Sequence, residues 1–209
     1  MPPRLTLRTT EVFASVQGEG LRLGEPTIFI RLTGCNLACD FCDTKFARRG
    51  GTSHAVDVLV GKVDRVRKGF PADWVCLTGG EPHLQDVTPL VRALKARGLK
   101  VQVETNGTIS RPLVADWYTV SPKPPAYKVA PGFGPKAREV KLVVTEELTL
   151  AALRAVRKAF PVRTPILLQP RSNLRWSSRR AWELLRLALG EGMKNIRLSI
   201  QAHKVLELP

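Results

Sequence analysis

Thr27-Ile28-Phe29-Ile30-Arg31-Leu32-Thr33-Gly34-Cys35-Asn36-Leu37-Ala38-Cys39-Asp40-Phe41-Cys42-Asp43-Thr44 is the stretch that decides the fold. Thr27–Leu32 is an apolar, β-branched run interrupted by Arg31, as in a strand with at least one buried face. Gly34–Gly51 then carries cysteines, charges and glycines with no helical period. Beyond it, Ser53–Lys68 repeats apolar residues at three- and four-residue spacing, the pattern of a helix lying on a sheet. Strand, loop and helix in that order make the first half of a parallel crossover unit.

The alternation continues along the chain. Glu11–Val16 precedes this unit as a candidate strand, and Val75–Thr78, Val101–Glu104, Trp117–Val120, Glu139–Val144, Pro165–Leu168 and Ile196–Ile200 follow it. Asp86–Ala96, Thr149–Phe160 and Ser177–Leu189 have helical spacing, and Gly69, Gly98, Pro161 and Gly190 stop the four helical runs. Ser121–Arg138 has no period and holds five of the sixteen prolines. Long loops of this kind inside a compact fold are usually functional. A closed eight-unit barrel takes about 250 residues, whereas this chain has 209 and spends dozens of them on loops. The expectation is therefore α/β: an incomplete, open parallel β/α barrel of about six units, forming a single domain over residues 1–209. Its chemistry belongs at the carboxyl ends of the strands, where Thr33–Cys35, Thr78–Glu81, Glu104–Gly107, Ser121–Lys123 and Gln169–Arg171 fall.

Composition excludes other classes. With 44% apolar and 24% charged residues the chain can build a core without a disulfide scaffold. No run approaches the ~18–20 apolar residues of a membrane span, and Met1–Thr10 lacks the core of a signal peptide. A cytoplasmic protein with no membrane partner is expected. Lysine and arginine exceed acidic residues by 15, which favours anionic ligands or acidic partners. The basic residues are dispersed, from Arg4 and Arg8 through Arg92, Lys95, Arg97 and Lys100 to Arg179, Arg180 and Arg186. No direct nucleic-acid partner is expected.

Cys35, Cys39 and Cys42 form a C-x3-C-x2-C cluster within eight residues. In a reducing compartment this reads as metal or cluster ligation. A tetrahedral zinc site requires a fourth ligand; Cys76 lies in the apolar run Val75–Leu77 and reads as a core thiol, and His54 has no spacing partner. Three thiolates on a four-iron, four-sulfur cube leave one iron open to a substrate.

An aromatic Phe41 before the last cysteine of C-x3-C-x2-C, after an early strand, resembles the radical S-adenosylmethionine (SAM) superfamily. Val16-Gln17-Gly18-Glu19-Gly20, Arg31, Cys42-Asp43-Thr44, Leu77-Thr78-Gly79-Gly80-Glu81-Pro82, Glu104-Thr105-Asn106-Gly107, Ser121-Pro122-Lys123 and Pro209 together resemble the 7-carboxy-7-deazaguanine synthase family. The resemblance implies a [4Fe-4S] cluster on Cys35, Cys39 and Cys42, whose open iron chelates SAM and cleaves it to a 5′-deoxyadenosyl radical. It places Phe41, Gly79, Gly80, Glu81, Glu104, Thr105, Asn106, Ser121, Pro122, Lys123, Gln169 and Pro170 around SAM, with Gly79 and Gly80 letting the backbone approach the methionine moiety. No side chain is assigned as a catalytic acid or base, because the radical arises on SAM.

Thr44 is the implied Mg²⁺ ligand, a hard-oxygen donor completed by substrate and water. The implied substrate is 6-carboxy-5,6,7,8-tetrahydropterin. Arg31 suits its carboxylate and Gln17 and Glu19 its amide and amino edges, while Val16, Gly18, Thr78, Glu104, His203 and the Pro209 carboxylate match positions around it. Hydrogen abstraction at C6, ring contraction and loss of ammonia would give 7-carboxy-7-deazaguanine for queuosine biosynthesis, tRNA modification and purine metabolism. Homodimers are common in the family. Arg171 and Ser172 follow Gln169-Pro170 at one end of the implied adenine pocket. Lys45, Arg48 and Arg49 beside the cluster suggest a basic rim for an acidic flavodoxin- or ferredoxin-type electron donor. Two alternatives stand beside this reading: another radical enzyme such as a glycyl-radical activase, and a basic zinc protein that binds nucleic acid.

Overall fold

The computed structural model describes residues 5–44 and 49–209. Nine strands form one open sheet: β1 (Thr6–Val16), β2 (Pro26–Leu32), β3 (Thr52–Ala55), β4 (Trp74–Gly79), β5 (Lys100–Thr105), β6 (Trp117–Val120), β7 (Glu139–Val144), β8 (Ile166–Pro170) and β9 (Ile196–Leu198). Their order across the sheet is β3-β1-β2-β4-β5-β6-β7-β8-β9. From β2 to β9 every neighbouring pair is parallel. The parallel-rich sheet expected from the alternation is present, and its edges stay open as in an incomplete barrel.

Helices α1 (Val56–Gly69), α2 (Thr88–Ala96), α3 (Leu150–Lys158) and α4 (Arg175–Gly190) follow the four helical runs, and a one-turn α5 (Ala202–Val205) closes the described chain. Each of α1 to α4 buries one apolar stripe. Leu59, Val60 and Val63 of α1 and Leu90, Val91 and Leu94 of α2 are buried against the sheet. The Thr149 hydroxyl caps α3 by accepting from the Ala152 N–H.

Three details depart from the sequence reading. Ser53–Ala55, expected as the first turn of a helix, belongs to β3, which pairs antiparallel with Thr6–Thr9. Backbone hydrogen bonding to the otherwise unpaired edge of β1 wins over helical spacing there. β1 itself begins at Thr6 and runs antiparallel to β2. The connections after β5 and β6 carry no helix. On that side Tyr118, His83 and Phe133 pack ring against ring, with centroids 5.7–6.1 Å apart.

Alternation along the parallel strands sorts chemistry to two faces. Ile28, Ile30 and Leu32, Val75 and Leu77, Val101 and Val103, Val140, Leu142 and Val144, and Ile166 and Leu168 belong to the continuous apolar core. The intervening positions Arg31, Thr78, Gln102, Glu104, Thr119, Glu139, Lys141 and Gln169 face the concave side, which is correspondingly polar.

Candidate active site

At the carboxyl ends of the parallel strands lies a cavity of about 420 Å³. Cys35, Cys39 and Cys42 line it, as do Phe41, Thr44, Gly79, Gly80, Glu104, Thr105, Asn106, Ser121, Lys123 and Gln169. The expected substrate positions Val16, Gln17, Gly18, Glu19, Arg31, Thr78, His203 and Pro209 share the same wall. Residues from one end of the chain to the other thus reach one space. Glu81, Pro122 and Pro170 do not line it. Lys45 and Arg48 lie outside the described residues, and Arg49 is exposed.

The cysteine loop is anchored through its base. Leaving β2, the chain accepts N–H groups from the end of β4: Gly80 N to Leu32 O at 2.9 Å and Glu81 N to Gly34 O at 2.7 Å. A Cβ on Gly79 would fall 2.4 Å from Leu32 O, and one on Gly80 only 1.7 Å from Gly34 O. Glycine is therefore required at both positions by the chain itself, in addition to any need of a ligand. Farther out, the Asn106 amide donates to Asn36 Oδ1 at 2.9 Å, and the Asn36 amide donates to Thr108 Oγ1 at 2.8 Å. Lys204 Nζ stands 3.4 Å from Asp43 Oδ2, and the Arg171 guanidinium lies 5.9 Å from the Phe41 ring centroid. Cys42 Sγ meets Thr44 Oγ1 at 3.6 Å.

Glu81 explains part of this order. Fully buried, its carboxylate accepts from His83 N, Thr105 Oγ1 and Asn106 N at 3.0, 2.8 and 2.7 Å. Burial pushes its carboxyl above the ordinary range despite these donors. It ties β4 to β5 and so sets Thr105 and Asn106 on the cavity wall.

Under the loop is a polar floor. Gln17 Nε2 donates to Gln102 Oε1 at 3.0 Å and to Glu104 Oε1 at 3.2 Å. Lys141, buried on β7, donates to Glu19 Oε2 and lies 3.5 Å from Glu104 Oε2. Gln201 Nε2 reaches Glu19 Oε1 at 2.7 Å. Burial alone would raise the Glu19 pKa, but the Lys141 charge and these hydrogen bonds lower it to about 2. Against its own burial, Lys141 is held protonated by Glu104 and Glu19. Burial, with the Lys141 charge beside it, lowers the Lys123 ammonium pKa; Lys123 donates to Ser121 Oγ.

Arg31 Nε donates to Glu11 Oε1 at 2.5 Å, and its guanidinium stands 5.3 Å from the Phe13 ring centroid, which fixes the cation in the wall. The Val16–Gly20 stretch owes two glycines to packing. A Cβ on Gly18 would lie 2.3 Å from His203 Nδ1, and one on Gly20 2.3 Å from Glu139 Oε1. Ser15 Oγ donates to Pro209 O at 2.9 Å, bringing the last residue to the mouth.

Lys141 and Gln201 were not singled out from the sequence. The signal for Lys141 is a charged residue inside the otherwise apolar run Val140–Val144 of a parallel strand, where a continuous hydrophobic run is the rule. Gln201 had no signal, because its role depends on where α5 turns back.

Three half-buried thiols from one loop face this cavity. Among the described residues no three of His, Cys, Asp and Glu converge on a single ion position. Three thiols of one loop suit three corners of a cluster, whereas a tetrahedral zinc site requires a fourth ligand. A ligand bearing hydrogen-bond donors also fits, because the buried Gln169 Oε1 at the cavity has no hydrogen-bond partner.

Comparison with known proteins agrees. The Radical SAM superfamily model matches residues 29–176. The "7-carboxy-7-deazaguanine synthase" of Caulobacter vibrioides is 36% identical over 98% of this chain and 100% of its own length. This chain belongs to the 7-carboxy-7-deazaguanine synthase family of radical SAM enzymes. Its relative of that name from Nitratidesulfovibrio vulgaris is 34% identical over 98% of this chain and 100% of its own. The crystal structure of QueE from Escherichia coli superposes with a TM-score of 0.77 at 29% identity, covering 95% of each chain. Streptococcus suis SuiB bound to S-adenosylmethionine shares only the fold, with a TM-score of 0.56 at 14% identity over 80% of this chain and 48% of that one. Membership in the superfamily implies a [4Fe-4S] cluster and SAM, and the cysteine set and Gln169 are suited to hold them.

Proposed function

We propose that this enzyme converts 6-carboxy-5,6,7,8-tetrahydropterin into 7-carboxy-7-deazaguanine with release of ammonia, in the route to queuosine and tRNA modification. The observation that carries this reading is the polar floor of Gln17, Glu19 and Glu104 beside Arg31, in the same cavity as the three cysteines. A pterin presents amide and amino donors on one edge and, here, a carboxylate on another. Two carboxylates and an amide answer the first; Arg31 answers the second.

When bound, the cluster and SAM supply the radical chemistry that starts the rearrangement at substrate C6. The chain's part is positioning. Asn106 and Glu81 hold the wall nearest the cysteine loop, Gln169 offers its carbonyl to a donor, and the floor fixes the pterin's orientation. The product is the substrate less ammonia, so no net oxidant is consumed.

Thr44 is assigned as a Mg²⁺ ligand with the substrate carboxylate, a charge-stabilising role. Its hydroxyl beside Cys42 supports placement near the cluster. Thr44→Ala should lose the Mg²⁺ stimulation of turnover, and unchanged stimulation removes the assignment. An acidic flavodoxin- or ferredoxin-type protein docking on the basic rim that includes Arg49 is assigned as the donor. We place the enzyme in the cytoplasm as a homodimer of single-domain chains; no helix among the described residues is long and apolar enough to cross a membrane.

The test is anaerobic reconstitution with iron and sulfide, then incubation with the pterin, SAM, Mg²⁺ and reductant. Mass spectrometry should find 7-carboxy-7-deazaguanine and ammonia with SAM regenerated. SAM cleavage without that product overturns the substrate.

A further inference from the structure

We infer that Lys141 is a positioning residue that keeps Glu19 anionic, so that the floor of the cavity accepts hydrogen bonds from the pterin at neutral pH without gaining a proton. The inference rests on the substrate reading above and adds to it a residue that touches the floor rather than the reacting atoms.

The argument is geometric. Lys141 extends from β7 between two carboxylates on different elements, donating to Glu19 Oε2 from the segment after β1 and standing 3.5 Å from Glu104 Oε2 of β5. Its side chain is 7% exposed, Glu19 14% and Glu104 21%, so water screens the group weakly. Two neighbouring carboxylates in such a place cannot both ionise cheaply unless a cation sits between them. Neutral hydrogen bonds complete the arrangement: Gln201 on Glu19, Gln17 on Glu104.

Other charges do not replace the ammonium. Glu139 of β7 adds negative charge and spends its oxygens on Leu21 N and Thr119 Oγ1. Arg22 is paired with Glu25 and donates to Gln102. Arg31 of β2 is engaged by Glu11. Lys123, after β6, lies in the same cavity and is bonded to Ser121. His203 of α5 packs against Gly18. Lys141 is thus the cation in direct contact with Glu19 among the described residues.

A protonated Glu19 offers an O–H where the pterin also presents N–H, so donor meets donor and binding fails. Burial without the ammonium shifts Glu19 toward that form. The sign follows: in Lys141→Met, pterin affinity is weak at neutral pH, releases a proton on binding, and recovers as pH rises. In the parent enzyme Glu19 is ionised throughout, and this pair contributes no pH dependence between 5 and 9.

The experiment measures equilibrium binding of 6-carboxytetrahydropterin to the anaerobic, cluster-reconstituted enzyme with SAM and Mg²⁺ but no reductant, from pH 5 to 9. Calorimetry in two buffers of different ionisation enthalpy counts protons. Lys141→Met should weaken binding at least tenfold at pH 7, with up to one more proton released than the parent. Lys141→Arg should restore most of the affinity and abolish that difference. A Glu19→Gln, Lys141→Met double variant removes the need for the ammonium and should show a flat profile even if Lys141→Met alone folds poorly. A parent-like pH profile and proton count in Lys141→Met, or a double variant as pH-dependent as Lys141→Met, overturns the inference. Failure of the parent enzyme to bind the pterin at all overturns the substrate reading instead, so the two are separable.

Discussion

The cysteine loop and the polar floor meet in one cavity but are built in opposite ways. The loop is a contiguous segment whose half-buried thiols are carried by a few contacts at its edges: Gly34 on Gly80, Asn36 on Asn106, Asp43 beside Lys204. The floor collects buried side chains from Gln17 to Gln201 and satisfies them with one another. A segment that is to receive a large inorganic group has to turn its ligand atoms toward an open space, whereas a surface that reads hydrogen bonds has to be fixed before the ligand arrives. The difference teaches that generation of the reactive species and recognition of the substrate are separable by mutation.

The largest effect should come from the loop. Cys39→Ser should abolish both product formation and SAM cleavage and lower bound iron, seen by the loss of visible absorbance after reconstitution. If SAM cleavage persists, the loop is not the anchor described here. Next is the joint between the loop and the sheet. Gly80→Ala forces a Cβ against Gly34 O; overpacking of this kind costs about 3 kcal/mol, or some 6–12 °C in a chain of this size, measured by calorimetry.

Floor variants should behave differently. Glu19→Gln removes a charged acceptor worth about 2 kcal/mol, raising KM for the pterin roughly thirtyfold by that figure while iron content and uncoupled SAM cleavage stay unchanged. A fall in iron content would erase the distinction between the two regions. The smallest effect lies away from both. His83 has neither ring nitrogen hydrogen-bonded, and burial together with the Arg111 and Lys136 charges lowers its pKa to about 4. Below pH 6.5 an unfolded chain takes up a proton that the folded one refuses until about pH 4, so stability declines as pH falls through that window. His83→Phe should flatten the decline in urea titrations between pH 6.5 and 4 without changing KM.

How much was legible follows the same division. The loop could be read because its ligands are adjacent in sequence, and C-x3-C-x2-C has a chemical meaning before any fold is known. Parallel strands and four helical runs were legible from apolar period alone. β3 was not, because Ser53–Ala55 owes its conformation to the edge of β1 rather than to its own residues. On the floor, Gln17, Glu19 and Glu104 were found through local motifs, whereas Lys141 could be found only by asking why a lysine interrupts Glu139–Val144. Glu81 shows the converse. Its place in a glycine-rich motif suggested ligand contact, yet the carboxylate is occupied by its own chain. Sequence proximity to a site does not say which way a side chain turns.

The ring cluster of Tyr118, His83 and Phe133 has a consequence for chain length. The two strand connections beside it run without helices, and three flat side chains from separate segments cover the outer face that such helices would otherwise shield. A helical layer there would need about two dozen more residues, at roughly a dozen per helix. Paving a flank with rings is thus how a short polypeptide walls a chamber that larger barrels enclose with scaffolding on every side.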